Sequence, residues 1–303
     1  MTINKRVLSR IFILSFFALA LASCGSHFIG VLNPKGIIAS EERKLLFNTM
    51  ALMLIVVLPV IIMSIAFIYH YQISHRVQDY KPNWSHSYFL ESLWWGIPCA
   101  IIFVLAIITW KKTFEYDPFR PIPGFNEPPM TVQVIALPWK WLFIYPEYNI
   151  ATINYLEIPV GRQVEYSITT DNVPMSAFFI PQLGSQIYTM TGMRSQLHLV
   201  ATSTGQFDGM NTQFNGVGFS DMHFMVNVVN ETEMAQWVKN TQKSSLKLTV
   251  AKYTELLKPT LNDQPLFFSS VPANLFNDVI KLYMNSNGTT HPRASLTEGK
   301  MND

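Results

Sequence analysis

The stretch LLFNTMALMLIVVLPVIIMSIAFIY (residues 45–69) runs for 25 residues without a charged side chain. A bilayer core of about 30 Å needs roughly 20 residues at 1.5 Å each, so the stretch predicts a transmembrane helix. A second uncharged stretch, SLWWGIPCAIIFVLAIITW (residues 92–110), predicts a second span. Pro59 and Pro98 lie inside these spans, where neighbouring helices can satisfy the freed carbonyls. Residues 45–112 are therefore predicted to form a transmembrane hairpin.

The composition agrees with a membrane protein. Of the 303 residues, 49% are hydrophobic and 14% are charged, whereas roughly 25% of the residues of a soluble domain are charged. The formal net charge is only +2. A charge this small, without long Lys/Arg runs, argues against a nucleic-acid partner.

The first 23 residues are typical of a secretory signal. Lys5, Arg6 and Arg10 precede the short apolar run IFILSFFALALAS (residues 11–23). The run ends in Leu-Ala-Ser-Cys, which is similar to the bacterial lipobox, and this similarity implies lipid attachment at Cys24 after cleavage. The alternative interpretation is a buried thiol that happens to follow small residues. Residues 24–44 are then a periplasmic N-terminal segment.

The orientation of the hairpin depends on Cys24. Arg76 and Lys81 between the spans balance Lys111 and Lys112 after them, so positive charges do not decide the topology. A lipid at Cys24 would lie on the outer face of the bacterial inner membrane. Two spans return the chain to that side, which predicts a periplasmic domain after about residue 113.

The rest of the chain predicts a β domain. Residues 113–129 are rich in proline and read as an extended linker. Residues 163–169, 196–201 and 223–229 alternate apolar and polar side chains, which favours an antiparallel sandwich or barrel over residues 130–230. Short amphipathic helices are predicted near residues 231–243 and 275–284, within a C-terminal helical extension over residues 231–290. Residues 291–303 are polar and predicted to be disordered.

Several consecutive segments carry a family resemblance. They are LMLIVVLP (residues 52–59), PNWSHS (82–87), WKWLFIYPE (139–147), FFIPQLGSQIYTMTGM (178–193) and GFSDM (218–222). In this order they resemble subunit II of the haem–copper respiratory oxidases, in particular of the cytochrome bo-type ubiquinol oxidases. The resemblance covers nearly the whole chain from residue 21. It implies a cupredoxin-like sandwich behind the two membrane helices.

The copper-bearing branch of this family holds a dinuclear copper centre, whose ligands are a His on an earlier strand and a loop patterned C-x-E-x-C-x-x-x-H-x-x-M. Soft thiolates, imidazoles and a thioether suit copper. Only Met222 retains the ligand type of the pattern. The emptied copper-ligand positions are Ser176, Asn211, Gln213, Asn215, Phe219 and Met222. A displaced site at His223 and Met225 is the alternative, but no second imidazole or thiolate stands at ligand spacing, and methionines often fill cores.

The resemblance implies a non-catalytic subunit II of a proton-pumping ubiquinol oxidase. It places haem b, haem o, CuB and the ubiquinol site in subunit I, with no cofactor or metal in this chain. Subunit I is the expected main partner, with subunits III and IV and membrane lipid. The aromatic pair Trp139 and Trp141 is expected to pack against subunit I. The alternatives are subunit II of a cytochrome c oxidase and a periplasmic copper-handling lipoprotein.

Glu91 stands at the predicted cytoplasmic start of the second span. A carboxylate at a helix N-terminus is favoured by the helix dipole, which is one explanation. The other is a proton role, because ionisable residues beside membrane spans often serve proton pathways. In the family this position lies at the mouth of a proton channel, and the resemblance implies that Glu91 marks its entrance.

Overall fold

The structure is a computed structural model that describes residues 30–71, 85–125, 127–261 and 263–284. The predicted signal (residues 1–23), the lipidation position Cys24 and the predicted disordered tail (291–303) lie outside the described residues.

Two long helices carry the apolar stretches. Helix α1 is Ile37–His70 and helix α2 is Tyr88–Glu115. Both are long and apolar enough to cross a membrane. They contain the predicted spans but extend beyond them: α1 begins within the predicted N-terminal segment and α2 ends at Glu115, inside the predicted linker. An apolar window marks only the part of a helix that lies in the bilayer core, so it misses polar turns at the helix ends.

The domain after α2 is a two-sheet sandwich, with a third layer of short C-terminal helices. Its strands are β1 Met130–Leu137, β2 Lys140–Tyr145, β3 Ile150–Ile153, β4 Tyr155–Pro159, β5 Gln163–Thr170, β6 Met175–Phe179, β7 Ile187–Met190, β8 Ser195–Val200, β9 Gly205–Asn211, β10 His223–Val229 and β11 Leu266–Phe268. The six-stranded sheet has the order β11-β3-β2-β1-β5-β8, and the five-stranded sheet has the order β4-β10-β9-β6-β7.

The predicted antiparallel pairing is wrong for two pairs. Strand β1 pairs with β5 in parallel, and β10 pairs with β4 in parallel. These partners are separated by crossover connections along the chain, whereas hairpin neighbours such as β1 and β2 remain antiparallel. Period-two alternation reports which face of a strand is buried, but it carries no information about pairing direction.

The strands of the six-stranded sheet have apolar residues at nearly every position, because the sheet lies between two hydrophobic cores. Val132, Val134 and Ala136 of β1 face the core between the sheets. Ile135 and Leu137 face a second core, which the C-terminal helices cover. A sheet that is buried on both faces needs apolar side chains at successive positions.

The C-terminal extension contains helices α3 Glu231–Gln242, α4 Val250–Leu256 and α5 Leu275–Met284. A capping box between Asn230 and Glu233 starts α3. The extension also contains strand β11, which lies between α4 and α5 and pairs with β3. Three residues are too few to give a periodic signal, so the strand was not visible in the sequence.

The start of α1 docks directly on the sandwich. Ile38 and Ala39 are buried, and the backbone N–H of Lys35 donates to the carbonyl oxygen of Gln182 at 2.7 Å. The Tyr116 hydroxyl, just beyond α2, donates to Glu41 of α1 at 3.0 Å. The membrane helices and the β domain therefore meet through specific contacts as well as through the linker.

Candidate functional site

The emptied copper-ligand positions lie at one end of the sandwich. Strand β9 ends at Asn211, and the loop that follows leads through the 3₁₀ turn Phe219–Asp221 into β10. Strand β6 pairs with β9, with Phe178 opposite Asn211. This pairing brings Ser176, two residues before Phe178, beside the loop.

The Asn215 side chain joins three of the six positions. Its amide nitrogen Nδ2 lies 3.3 Å from the Ser176 Oγ and 3.3 Å from the Met222 Sδ. Ser176 and Met222 are fully buried. We call Ser176, Asn215 and Met222 the former-ligand cluster. An amide donor therefore stands between the two positions where a metal would have needed acceptors.

Asn211 fixes the base of the loop. Its Oδ1 accepts hydrogen bonds from the backbone N–H of Ala177 at 2.9 Å and of Gln213 at 3.1 Å, and its Nδ2 donates to the Gln213 carbonyl at 2.8 Å. An asparagine that bonds its own backbone two residues on is a common turn device. This residue holds the loop to β6 by the hydrogen bonds of its side chain.

The side chains of the remaining two positions, Gln213 and Phe219, both contact Phe214 of their own loop. The Gln213 Nε2 donates to the Phe214 carbonyl at 3.5 Å, and the Phe219 ring lies 5.7 Å from the ring of Phe214. His223 is exposed, and its Nε2 lies 2.8 Å from the Ser220 carbonyl oxygen.

This donor set does not fit copper. A hydroxyl, amides and one thioether are a poor set for a soft metal. Among the described residues no group of three or more His, Cys, Asp or Glu side chains could hold a metal ion. The side chains of Ser176, Asn211, Asn215 and Met222 instead take part in hydrogen bonds.

The two tryptophans of the WKW segment have different surroundings. Trp139 forms the β1–β2 turn with a positive φ of 59°, and its indole Nε1 donates to the Asn215 carbonyl at 3.4 Å. The indole covers Gly218 so closely that a Cβ there would lie 2.4 Å from the ring. Trp139 thus stabilises the loop and keeps part of its surface exposed.

Trp141 corrects a prediction. Its side chain is 0% exposed and packs edge-on against Phe178 and Phe224 inside the sandwich. A side chain without exposed surface cannot pack against another subunit, so the expected contact with subunit I is wrong for Trp141. For Trp139 it stays a prediction.

Lys140, between them, was missed by the sequence analysis. It is 2% exposed, and its Nζ lies 2.6 Å from Asp263 Oδ2 and 3.2 Å from the Lys258 carbonyl oxygen, with Thr260 as a further partner. A lysine inside an otherwise apolar strand was the available signal, because buried lysines need a partner. The partner lies more than a hundred residues away, which no local pattern reveals.

A second buried anchor holds the C-terminal segment to the sandwich. Asp171 is 1% exposed and accepts hydrogen bonds from the hydroxyls of Tyr253 at 2.5 Å and Tyr283 at 2.8 Å. We call this anchor and the Lys140–Asp263 pair together the C-terminal clamp. In the first member the Lys140 ammonium is paired with the Asp263 carboxylate. In the second member the Asp171 carboxyl accepts hydrogen bonds from two tyrosine hydroxyls.

Glu157, on β4, is a buried carboxyl with only neutral partners. Its Oε2 accepts from the Tyr155 hydroxyl at 2.5 Å and from the Asn227 amide at 3.1 Å. Burial raises the pKa of Glu157, and these two hydrogen bonds partly offset that effect.

The structure places Glu91 in the first turn of α2, half-buried. This placement agrees with both explanations given above, the helix dipole and a proton role, so the proton role stays a prediction.

The fold therefore defines a class of protein: a cupredoxin-like sandwich that follows two apolar, membrane-length helices. The loop before β10 has amide side chains and offers no set of copper ligands. Comparisons with known proteins give the family of this chain. Residues 242–287 match the family model described as the COX Aromatic Rich Motif. The chain is 44% identical to cytochrome bo(3) ubiquinol oxidase subunit 2 of Pseudomonas aeruginosa, over 88% of this chain and 79% of that protein.

Two further similarities extend the comparison. The chain is 38% identical to the protein of the same name from Pseudomonas putida, over 96% of this chain and 92% of that protein. The crystal structure of the periplasmic domain of subunit II of cytochrome oxidase from Bradyrhizobium japonicum covers 39% of this chain and 96% of its own, with 22% identity and a TM-score of 0.36. The identities and coverage of the named relatives decide the family: the chain belongs to the cytochrome bo(3) ubiquinol oxidase subunit 2 family.

Proposed function

We propose that this chain is the non-catalytic subunit II of a proton-pumping terminal ubiquinol oxidase, which passes electrons from ubiquinol to O₂. The observation that carries the proposal is the Asn215 amide between Ser176 and Met222, 3.3 Å from each. Side chains at these positions form hydrogen bonds with one another and offer no set of soft ligands, which supports a chain without a relay for electrons from a soluble donor.

The absence of a relay is consistent with a donor that is itself in the membrane. Ubiquinol can reduce subunit I directly, where haem b, haem o and CuB are expected. This chain then contributes a membrane hairpin and a rigid domain to the assembly. Subunit I is the proposed main partner, through the exposed apolar surfaces of α1 and α2, and subunits III and IV complete the complex.

We propose that the chain is anchored in the bacterial inner membrane by its two spans and by lipid at Cys24, with the sandwich in the periplasm. Both α1 and α2 have their sandwich-proximal ends on one side of the hairpin. The side facing the cytoplasm then contains the end of α1 at His70 and the start of α2 with Glu91.

Glu91 is proposed as the entrance of a proton pathway into subunit I. In the assembled oxidase, Glu91→Ala and Glu91→Gln should both lower turnover and proton pumping, because neither side chain exchanges a proton. Unchanged turnover and pumping in both variants would leave only the helix-dipole role.

The complex itself tests the main proposal. Purification from membranes through a tag on this chain should recover haem and ubiquinol-dependent oxygen uptake. Copper should not exceed the amount that CuB requires. Copper in excess, with electron transfer from reduced cytochrome c, would favour a cytochrome c oxidase subunit. Recovery of this chain with copper but without haem would favour a copper-handling lipoprotein.

A further inference from the structure

Unpaired polar atoms collect at the end of the sandwich that carries the former-ligand cluster. Among the described residues, eight buried side-chain atoms have no hydrogen-bond partner, and four of them belong to this end: Trp141 Nε1, Thr170 Oγ1, Thr189 Oγ1 and Asn215 Oδ1. Trp141, Thr170 and Thr189 are all 0% exposed. Because buried polar groups are nearly always paired, a concentration of unpaired atoms points to a ligand that supplies the partners.

The strand registers bring three of these groups toward the cluster. Trp141 pairs with Ala136, which pairs with Thr170, so the three share the inner face of the six-stranded sheet. A bridge from Thr170 to Thr191 brings the end of this row to β7. Thr189 of β7 lies opposite Ser176 on β6.

The fourth group is part of the cluster itself. The Asn215 amide lies 3.3 Å from Ser176 Oγ, and its Oδ1 is the unpaired atom. Trp141 packs against Phe178 and Phe224, which follow Ser176 and Met222 by two residues in the sequence. Strand register, ring packing or a hydrogen bond therefore links each of the four groups to the end of the core that contains Ser176 and Met222.

The chemistry of the four atoms selects the ligand. The indole N–H can only donate and the Asn215 oxygen can only accept, while each threonine hydroxyl can do both. A cation would be repelled by the indole N–H, and an anion by the amide oxygen. We propose that this end of the core is an internal water site, in which water is held by Trp141, Thr170, Thr189 and Asn215.

Two adjacent threonines provide a matched comparison. Thr169 and Thr170 are both 0% exposed, and both hydroxyls lack a partner among the described groups. Neighbouring residues of a strand point to opposite faces. Thr169 pairs with Ile135 and faces the apolar second core, away from the proposed water.

Thr169→Val, Thr170→Val and Thr189→Val in the assembled oxidase test the proposal. The measured quantity is the thermal midpoint at which this chain loses protease resistance. Thr170→Val and Thr189→Val should lower the midpoint, because the water loses a partner. Thr169→Val should raise it, because an unpaired buried hydroxyl is removed. A rise for Thr170→Val and Thr189→Val as well would overturn the proposal.

Direct observation of the unsubstituted complex is the second test. A density map that resolves ordered water should show a peak within hydrogen-bonding distance of at least two of the four atoms. No density between them would overturn the proposal. Copper ions added alone should leave the midpoint unchanged. A rise that Met222→Leu abolishes would mean that the site takes a metal.

Discussion

The C-terminal clamp and the former-ligand cluster both hold separate segments of the chain together, but they use different chemistry. Each joins residues that lie far apart in the sequence. The clamp uses buried charges, with Lys140 2.6 Å from Asp263. The cluster uses neutral dipoles at 3.3 Å. A buried charge that loses its partner costs far more than a weak neutral bond does. The comparison therefore predicts that stability resides mainly in the clamp.

Asp263→Ala gives the largest expected effect. It leaves the Lys140 ammonium buried without its carboxylate, which should lower the free energy of unfolding by about 3 kcal/mol. The measurement is native-state proteolysis of this chain in the purified oxidase. The double variant Lys140→Met/Asp263→Ala is the control, since it removes the charge and should recover most of the loss. If Asp263→Ala left the free energy of unfolding nearly unchanged, the clamp would not be the main source of stability.

Asn211→Ala should have the second-largest effect on stability. The backbone N–H groups of Ala177, which is buried, and of Gln213, which is half-buried, lose their acceptor, so about 2 kcal/mol of stability should be lost. Asn215→Ala is the matched variant on the same loop and should cost about 1 kcal/mol, because its bonds are longer and one acceptor is a thioether. Protease cleavage within residues 212–218 reports both. A larger cost for Asn215→Ala would make the cluster, and not its base, the main support of the loop.

Glu157 sharpens the comparison, because its carboxyl is buried like the charges of the clamp but has only neutral partners, as in the cluster. Its pKa is raised in the folded protein. The folded state therefore holds the proton more tightly than the unfolded state, and this stabilisation is lost as the pH rises through the folded pKa.

Glu157→Gln should accordingly remove that part of the pH dependence and stabilise the domain at neutral pH, by less than either effect above. The thermal midpoint of the complex, measured at pH values below and above the range in which carboxyl groups titrate, would report this change. If the variant keeps the full pH dependence, another group is responsible.

The sequence predicted the elements better than their assembly. Uninterrupted apolar stretches gave both spans, and alternation located β5, β8 and β10 to within a residue, because these patterns are local. The parallel pairing of β1 with β5 and the short strand β11 depend on contacts far apart in the chain, and no periodicity records them.

The site was predicted in part for the same reason. A family pattern gave the six positions of the former copper ligands, but not which of them meet. Only the three-dimensional structure shows that Asn215 joins Ser176 and Met222, whereas the Phe219 ring contacts Phe214. Burial of Trp141 and the ion pair of Lys140 were also beyond the sequence, since each depends on residues of another sheet or of the C-terminal segment.

The docking of α1 on the sandwich has a mechanical consequence. Backbone hydrogen bonds of Lys35 with Gln182, and of Thr202 with Lys35, at 2.7 Å each, continue the first helix into the domain. The segment after α2 is attached as well, because Ile122 packs against the core and the Pro118 carbonyl oxygen lies 3.0 Å from His198 Nδ1. A change in the tilt of α1 is therefore expected to change the orientation of the whole β domain.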